Sequence, residues 1–170
     1  MPLPVYADTI RTPRLDLLPL RVEHAEEMAA TLSDPALHDF IGGSPSSPKD
    51  LRIRYERLVA GSPDPAVSWC NWVLLLREGS RPVGTVQATV SGTAAEIAWV
   101  VGTARQGRGL ASEAARALVT WLAGRSDLRT VVAHIHPGHT ASAAVARGAG
   151  LEPTDEQHDG ETRWRLALPR

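Results

Sequence analysis

Three observations predict an α/β fold with layered helices and strands. Residues 67–101 hold three successive runs rich in β-branched and aromatic residues, joined by glycine-containing turns, which predicts an antiparallel meander. On both sides of the meander, apolar residues recur at helical rather than alternating spacing. The resulting order is strand, two helices, three strands, helix, strand, helix, strand, and such interleaving produces a mixed sheet with helices packed on it.

The elements follow from local patterns. In TPRLDLLPL (Thr12 to Leu20) the residues alternate as Leu15, Leu17 and Pro19 or as Leu18 and Leu20, so a first strand is expected, stopped near Pro19. VEHAEEMAATL then places Ala25, Met28, Ala29 and Leu32 on one helical face, with acids in the first turns where the helix dipole favours them. SDPALHDFIGGSPSSP is a loop with at most a turn or two of helix, and PKDLRIRYERLVAG restores helical spacing through Leu51, Tyr55, Leu58 and Val59 until Gly61 ends it. The meander comprises VSWCNWVLLLREG, RPVGTVQATVSG and AAEIAWVVG, with a turn at Glu78 to Arg81. A helix follows with Leu110, Ala114, Leu118 and Leu122 on one face, then a strand RTVVAHIHP, a small-residue helix TASAAVARGAG and a last strand within ETRWRLAL. No repeat or linker interrupts the chain, so a single domain over 1–170 is expected.

Composition narrows the function. The 170 residues are 43% hydrophobic and 22% charged with a formal net charge of -1 and no long run of one sign, so neither nucleic acid nor a membrane surface is an expected partner. No apolar stretch is long enough to span a bilayer and no leader is visible, and the single Cys70 has no partner for a disulfide; a cytoplasmic setting with Cys70 as a core thiol is expected.

The segment RQGRGLASEAARAL (Arg105 to Leu118) puts glycines and arginines just before a helix. The first amides of a helix have no internal partner and carry partial positive charge, and Gly107 and Gly109 remove side chains that would hold an anion away from them. Arg105 and Arg108 add charge suited to phosphate oxygens. The mouth at Gly107 to Ser112 therefore reads as a phosphate site, yet it is neither a G-x-x-x-x-G-K-[ST] loop nor a dinucleotide fingerprint.

Gln106-Gly107-Arg108-Gly109-Leu110-Ala111 matches the Q/R-x-x-G-x-G/A pattern of the GNAT acyltransferases. TPRLDLLPLRVEHAEEM, PVGTV, AEIAWVVGTARQGRGLASEA and PGHTASAAVARGAGL are similar, in order, to further segments of the branch that includes ribosomal-protein N-terminal acetyltransferases. The resemblance covers about residues 9–168. It implies a GNAT fold with a mixed, mostly antiparallel central sheet of about six to seven strands and about four helices. It also implies acetyl-coenzyme A as acyl donor, its pyrophosphate on the amides of Gly107, Arg108, Gly109, Leu110, Ala111 and Ser112, with Gln106 a further cofactor contact, and its pantetheine arm on Trp99, Val100 and Val101. The chain departs from the family in two places: His139 stands where Asn is frequent, and Ala146 where many members carry a Tyr general acid.

Acyl transfer to an amine needs an unprotonated amine, a stabilised oxyanion and a proton for the departing thiolate. Glu96 lies where such enzymes often carry the proton acceptor; its other reading is a solvated residue at a strand start. His134 and His136 leave their strand opposite Val131, Ala133 and Ile135, and His136 is the nearer to the acceptor end, so it is the competing base or a surface histidine. Ser142 is the candidate proton donor for the thiolate, or a capping residue. His139 caps the same helix or touches the cofactor. Asp39 and Phe40 are expected acceptor contacts, Arg52, Arg54 and Arg57 a solvated helix face. His-x-His without a third ligand predicts no metal. The acceptor is expected to be a primary amine, on a small molecule or a protein N-terminus; the alternative is an acyl-coenzyme A-binding sensor or scaffold without turnover. Trp164, Leu166 and Leu168 on one face of the final strand predict an edge available for a homodimer.

Overall fold

The computed structural model describes residues 4–38, 44–125 and 127–169. Its strands are β1 (Ile10–Arg11), β2 (Leu15–Pro19), β3 (Val67–Leu76), β4 (Arg81–Ser91), β5 (Ala94–Val101), β6 (Thr130–Ile135), β7 (Glu152–His158) and β8 (Glu161–Ala167). The helices are α1 (Ala25–Thr31), α2 (Pro48–Ala60), α3 (Leu110–Ala123) and α4 (Thr140–Gly148), with short 3-10 turns at Val22–His24, Pro35–His38 and Thr103–Arg105. All strands join one sheet in the order β1-β2-β3-β4-β5-β6-β8-β7, antiparallel throughout except where β5 meets β6.

The alternation read in the strands decides which residues face which helices. Leu15, Leu17, Trp72, Leu74, Val86, Ala88, Ile97, Ala133, Ile135 and Trp164 point to the face covered by α3 and α4, where Leu110, Ala114, Leu118 and Leu122 complete the main core. The opposite face carries a smaller cluster of Ala25, Met28, Ala29, Leu51 and Tyr55 packed on Val73, which seats α1 and α2. Helix α2 starts where predicted because the Ser47 hydroxyl accepts the Asp50 amide at 3.1 Å and Pro48 follows at the first helical position; Gly61, at φ 91°, ends it. Gly84 lets β4 approach β5, since a Cβ there would sit 2.1 Å from the Val100 carbonyl oxygen.

The sheet has eight strands, not the six to seven expected. The two that escaped the sequence reading are β1, only two residues long, and β7, whose sequence EPTDEQH has no apolar alternation because it is an almost wholly exposed edge. A cue for β7 was present: Asp159 and Gly160, at φ 51° and 80°, form the two-residue turn between His158 and Glu161, and Asp-Gly is the preferred pair there. This hairpin corrects the expectation about β8, which lies between β6 and β7 and is not an edge. Trp164 and Leu168 are buried in the main core and so complete the fold of this chain.

Candidate active site

The α3 mouth is open. Gly107 and Gly109 sit at φ 78° and 76°, in the left-handed region glycine favours, and a Cβ at Gly107 would meet nothing within 4 Å. Gly109 is the N-cap and no side chain caps the helix; its carbonyl accepts the Glu113 amide at 3.0 Å, the first bond of the ladder. The amides of Leu110, Ala111 and Ser112 precede that ladder and point out of the helix end. The Gln106 side chain turns inward and donates from Nε2 to the Val101 carbonyl at 2.9 Å, tying the loop to the end of β5.

A residue the sequence reading missed braces this loop. Arg14 donates from Nη1 to the Arg108 carbonyl at 2.8 Å and from Nε to Glu113 Oε1 at 2.8 Å, and its amide donates to Glu113 Oε2 at 2.9 Å. Thr12 Oγ1 donates to the same carboxylate at 2.5 Å. Burial pushes the Glu113 carboxyl up, but the hydrogen bonds from Thr12 and Arg14 outweigh it and hold it below the usual glutamate range. The chain before β2 thereby fixes the first turn of α3 across about a hundred residues of sequence.

Between β5 and β6 the sheet opens. Their parallel pairing covers only Ala94↔Thr130, Ala95↔Val131 and Glu96↔Val132, after which both strands continue apart, β5 to Val101 and β6 to Ile135. Trp99, Val100 and Val101 lie on the β5 side of this splay, a few residues before the α3 mouth. A cleft of about 340 Å³ runs from the splay to the α1 and α2 side, lined among others by Trp99, Val100, His134, His136, His139 and Ser142. Its other wall is largely apolar, with Leu20, Leu32, Leu51 and Leu58, and Arg54 and Tyr55 of α2 face it.

The side chains singled out in the sequence separate into two groups. Ser142, His136 and His139 all reach the cleft. Ser142 Oγ lies 3.4 Å from His139 Nε2, and burial, then the neighbouring His136, hold the His139 ring below its usual range. The Gly138 amide donates to His136 Nδ1 at 2.9 Å. Glu96 does not line the cleft; its Oε1 is hydrogen-bonded to Nδ1 of His134, which does. Asp39 and Phe40 lie outside the described residues. Ala146 is fully buried in the main core, and Tyr55, a tyrosine not expected near the site, lies across the cleft on α2 with its hydroxyl pushed up to about 12 by burial.

Arg54 corrects the reading of that helix face as merely solvated: exposed as it is, it forms part of the cleft wall together with Asn71 and Gln87 of the sheet. Strand alternation puts Asn71 on the face of Val73 and Gln87 on that of Thr85, and the pairing of β3 with β4 makes these one face. Cys70 is buried, its Sγ within 3.4 Å of the Val5 carbonyl and its thiol pushed up to about 11 by burial. Among the described residues no group of three or more His, Cys, Asp or Glu is placed to hold a metal, and no helix is long and apolar enough to cross a membrane.

Residues 14–152 match the family described as the acetyltransferase (GNAT) domain. No curated protein sequence matches the chain. Among solved structures, the acetyltransferase from Agrobacterium tumefaciens strain C58 is 25% identical, superposes with a TM-score of 0.71 and aligns over 98% of both chains. An acetyl transferase from Salmonella typhimurium, which modifies the N-terminal serine of 50S ribosomal subunit protein L7/L12, is 18% identical with a TM-score of 0.78, over 95% of this chain and 100% of the other. The aminoglycoside acetyltransferase AAC(6')-Ib, in complex with Parmomycin and AcetylCoA, is 17% identical with a TM-score of 0.75, over 91% of this chain and 93% of the other.

Proposed function

Since the chain belongs to the acetyltransferase (GNAT) domain family, with residues 14–152 matching it, we propose that it moves an acetyl group from acetyl-coenzyme A to a primary amine by direct attack on the thioester. The observation that carries this reading is the path from an uncapped helix N-terminus, along the opened edge of β5, into a cleft lined by Ser142 and by His38, His134, His136 and His139.

The residues present fit the donor. The amides of Leu110, Ala111 and Ser112, with the bare backbone at Gly107 and Gly109, offer hydrogen bonds and partial positive charge to a pyrophosphate, and the Arg108 side chain is exposed beside them. The β5 edge at Trp99 to Val101 offers backbone groups to the amide-bearing pantetheine arm. Bound there, acetyl-coenzyme A supplies the activated acyl group. The chain's own residues then hold the amine in the cleft and move two protons. A C–N bond forms and the C–S bond breaks; one proton leaves the amine and one reaches the thiolate. Ser142 is the donor to the sulfur; as its proton leaves, His139 Nε2, 3.4 Å from the hydroxyl, replaces it from the Nε2–H tautomer while Nδ1 takes up a proton from water.

The cleft also limits the acceptor. Among its described lining residues Glu161 is the single carboxylate and Arg54 the single guanidinium, set in a mostly apolar wall. A monoamine on a largely apolar body, whether a small molecule or a protein N-terminus, fits this better than a polycation, which needs several carboxylates to replace its water. Release of free thiol from acetyl-coenzyme A, measured against a panel of such amines, tests the reading. Amine-dependent release supports catalysis, whereas tight binding with no release for any amine favours a sensor or scaffold.

A further inference from the structure

We infer that His134 is the group that takes the proton from the acceptor amine, and that Glu96 acts through it as a positioning residue; this rests on the acetyl-transfer reading above. The two stand 38 positions apart in sequence and meet because β5 and β6 pair in parallel, with His134 the first residue of its face beyond the last paired position, Glu96↔Val132. His134 is therefore at the apex of the splay. A carboxylate only accepts, so the bond donated by His134 Nδ1 to Glu96 Oε1 places the neutral ring's proton on Nδ1 and its lone pair on Nε2. His134 lines the cleft with its side chain 21% exposed, whereas the Glu96 side chain is 52% exposed and lies behind it.

Of the other cleft histidines, His38 ends the Pro35–His38 turn, away from the β5–β6 splay, and the two that follow β6 are arranged differently. His136 uses its Nδ1 lone pair to accept the Gly138 amide, so its neutral ring carries the proton on Nε2 and presents a donor. His139 Nε2 is beside the Ser142 hydroxyl, on the thiolate side of the reaction. The charged and titratable groups facing His134 are Glu96 from β5, the His158 ring of β7 at 5.6 Å, and Arg163, opposite it on β8 and bonded to Glu156 at 2.9 Å; Glu161, His38 and, from α2, Arg54 and Tyr55 share the cleft. In the step proposed, Nε2 accepts the amine proton as the C–N bond forms, Glu96 stabilises the resulting imidazolium, and the ring later returns the proton to water.

The test uses the full chain with an amine that the panel shows to be acetylated. His134→Gln is expected to lower kcat by about a hundredfold or more, to leave acetyl-coenzyme A affinity by calorimetry within about twofold of wild type, and to abolish the acidic limb of the kcat/KM profile. Glu96→Gln should retain that limb with a kcat reduced about tenfold, and His136→Gln should retain it too. Nitrogen-15 NMR of the wild-type rings needs no variant: His134 should be the Nδ1–H tautomer, and Glu96→Gln should mix the tautomers. An acidic limb that survives His134→Gln, or a wild-type His134 protonated on Nε2, would overturn the assignment. Failure of every amine would overturn the acetyl-transfer reading and the proton role with it, and the NMR result would separately report whether the pair is formed.

Discussion

Replacing Gly109 by Asp or by Asn isolates the charge at the α3 mouth. The two side chains have the same shape, and both tolerate the left-handed backbone that Gly109 adopts at φ 76° better than other residues. The space into which they project is bounded only by Arg14 Nη2, 3.4 Å from the built Cβ, so either should fold with a small loss of stability. The difference is one negative charge where the pyrophosphate would rest. At ~5 Å and an effective dielectric constant of ~40–80, each pair of unit charges costs ~0.8–1.7 kcal/mol. Against the two charges of a pyrophosphate the penalty is ~1.7–3.3 kcal/mol, or a ~20- to ~300-fold loss of affinity. Arg14 is already engaged by Glu113 and the Arg108 carbonyl, which limits how far it can neutralise a new carboxylate. Calorimetric titration with acetyl-coenzyme A should place Gly109→Asn near wild type and Gly109→Asp far weaker, and the gap should narrow at high salt as the charges are screened. Equal affinities for the two variants, at any salt, would refute a phosphate at this helix end.

Gly84→Ala should destabilise the fold by about 3 kcal/mol, because its Cβ would have to displace the Val100 carbonyl from 2.1 Å; thermal denaturation should show Tm lower by about 6–12 °C. Ser142→Ala should reduce kcat about ten- to a thousandfold with little change in the KM for acetyl-coenzyme A, and a KM effect of the same size would make it a binding residue instead. The Glu113 carboxyl is held below its ordinary 4.5 in the folded protein, so its contribution is present above that pH and is lost as pH falls through the lower folded value. The Tm gap between wild type and Glu113→Gln, read by calorimetry from pH 7 to 3, should accordingly be widest above about pH 4.5 and close in acid.

Most of the architecture could be read along the chain because it is written in short periods. Alternation marked the meander of β3, β4 and β5, the stripe of Leu110, Ala114, Leu118 and Leu122 marked α3, and the glycines of its mouth followed from the needs of a bare helix end. Each of these signals lies within a few residues of itself, where backbone geometry and side-chain period are directly coupled. Strand β7 escaped because an exposed edge has no buried face to impose alternation, and only its Asp-Gly turn announced it.

What tertiary structure alone decided is how distant segments meet. No local pattern tells how far β5 and β6 remain paired, yet that distance opens the cleft and brings Glu96 against His134. The same holds for Arg14, which reaches Arg108 and Glu113 because β2 packs near the start of α3, and for Arg54, which belongs to the cleft wall only because α2 crosses the sheet there. Residue type and spacing determined the elements and the chemistry this chain could offer. The pairing of strands far apart in sequence, driven by burial of both sheet faces, determined which of those groups share a site.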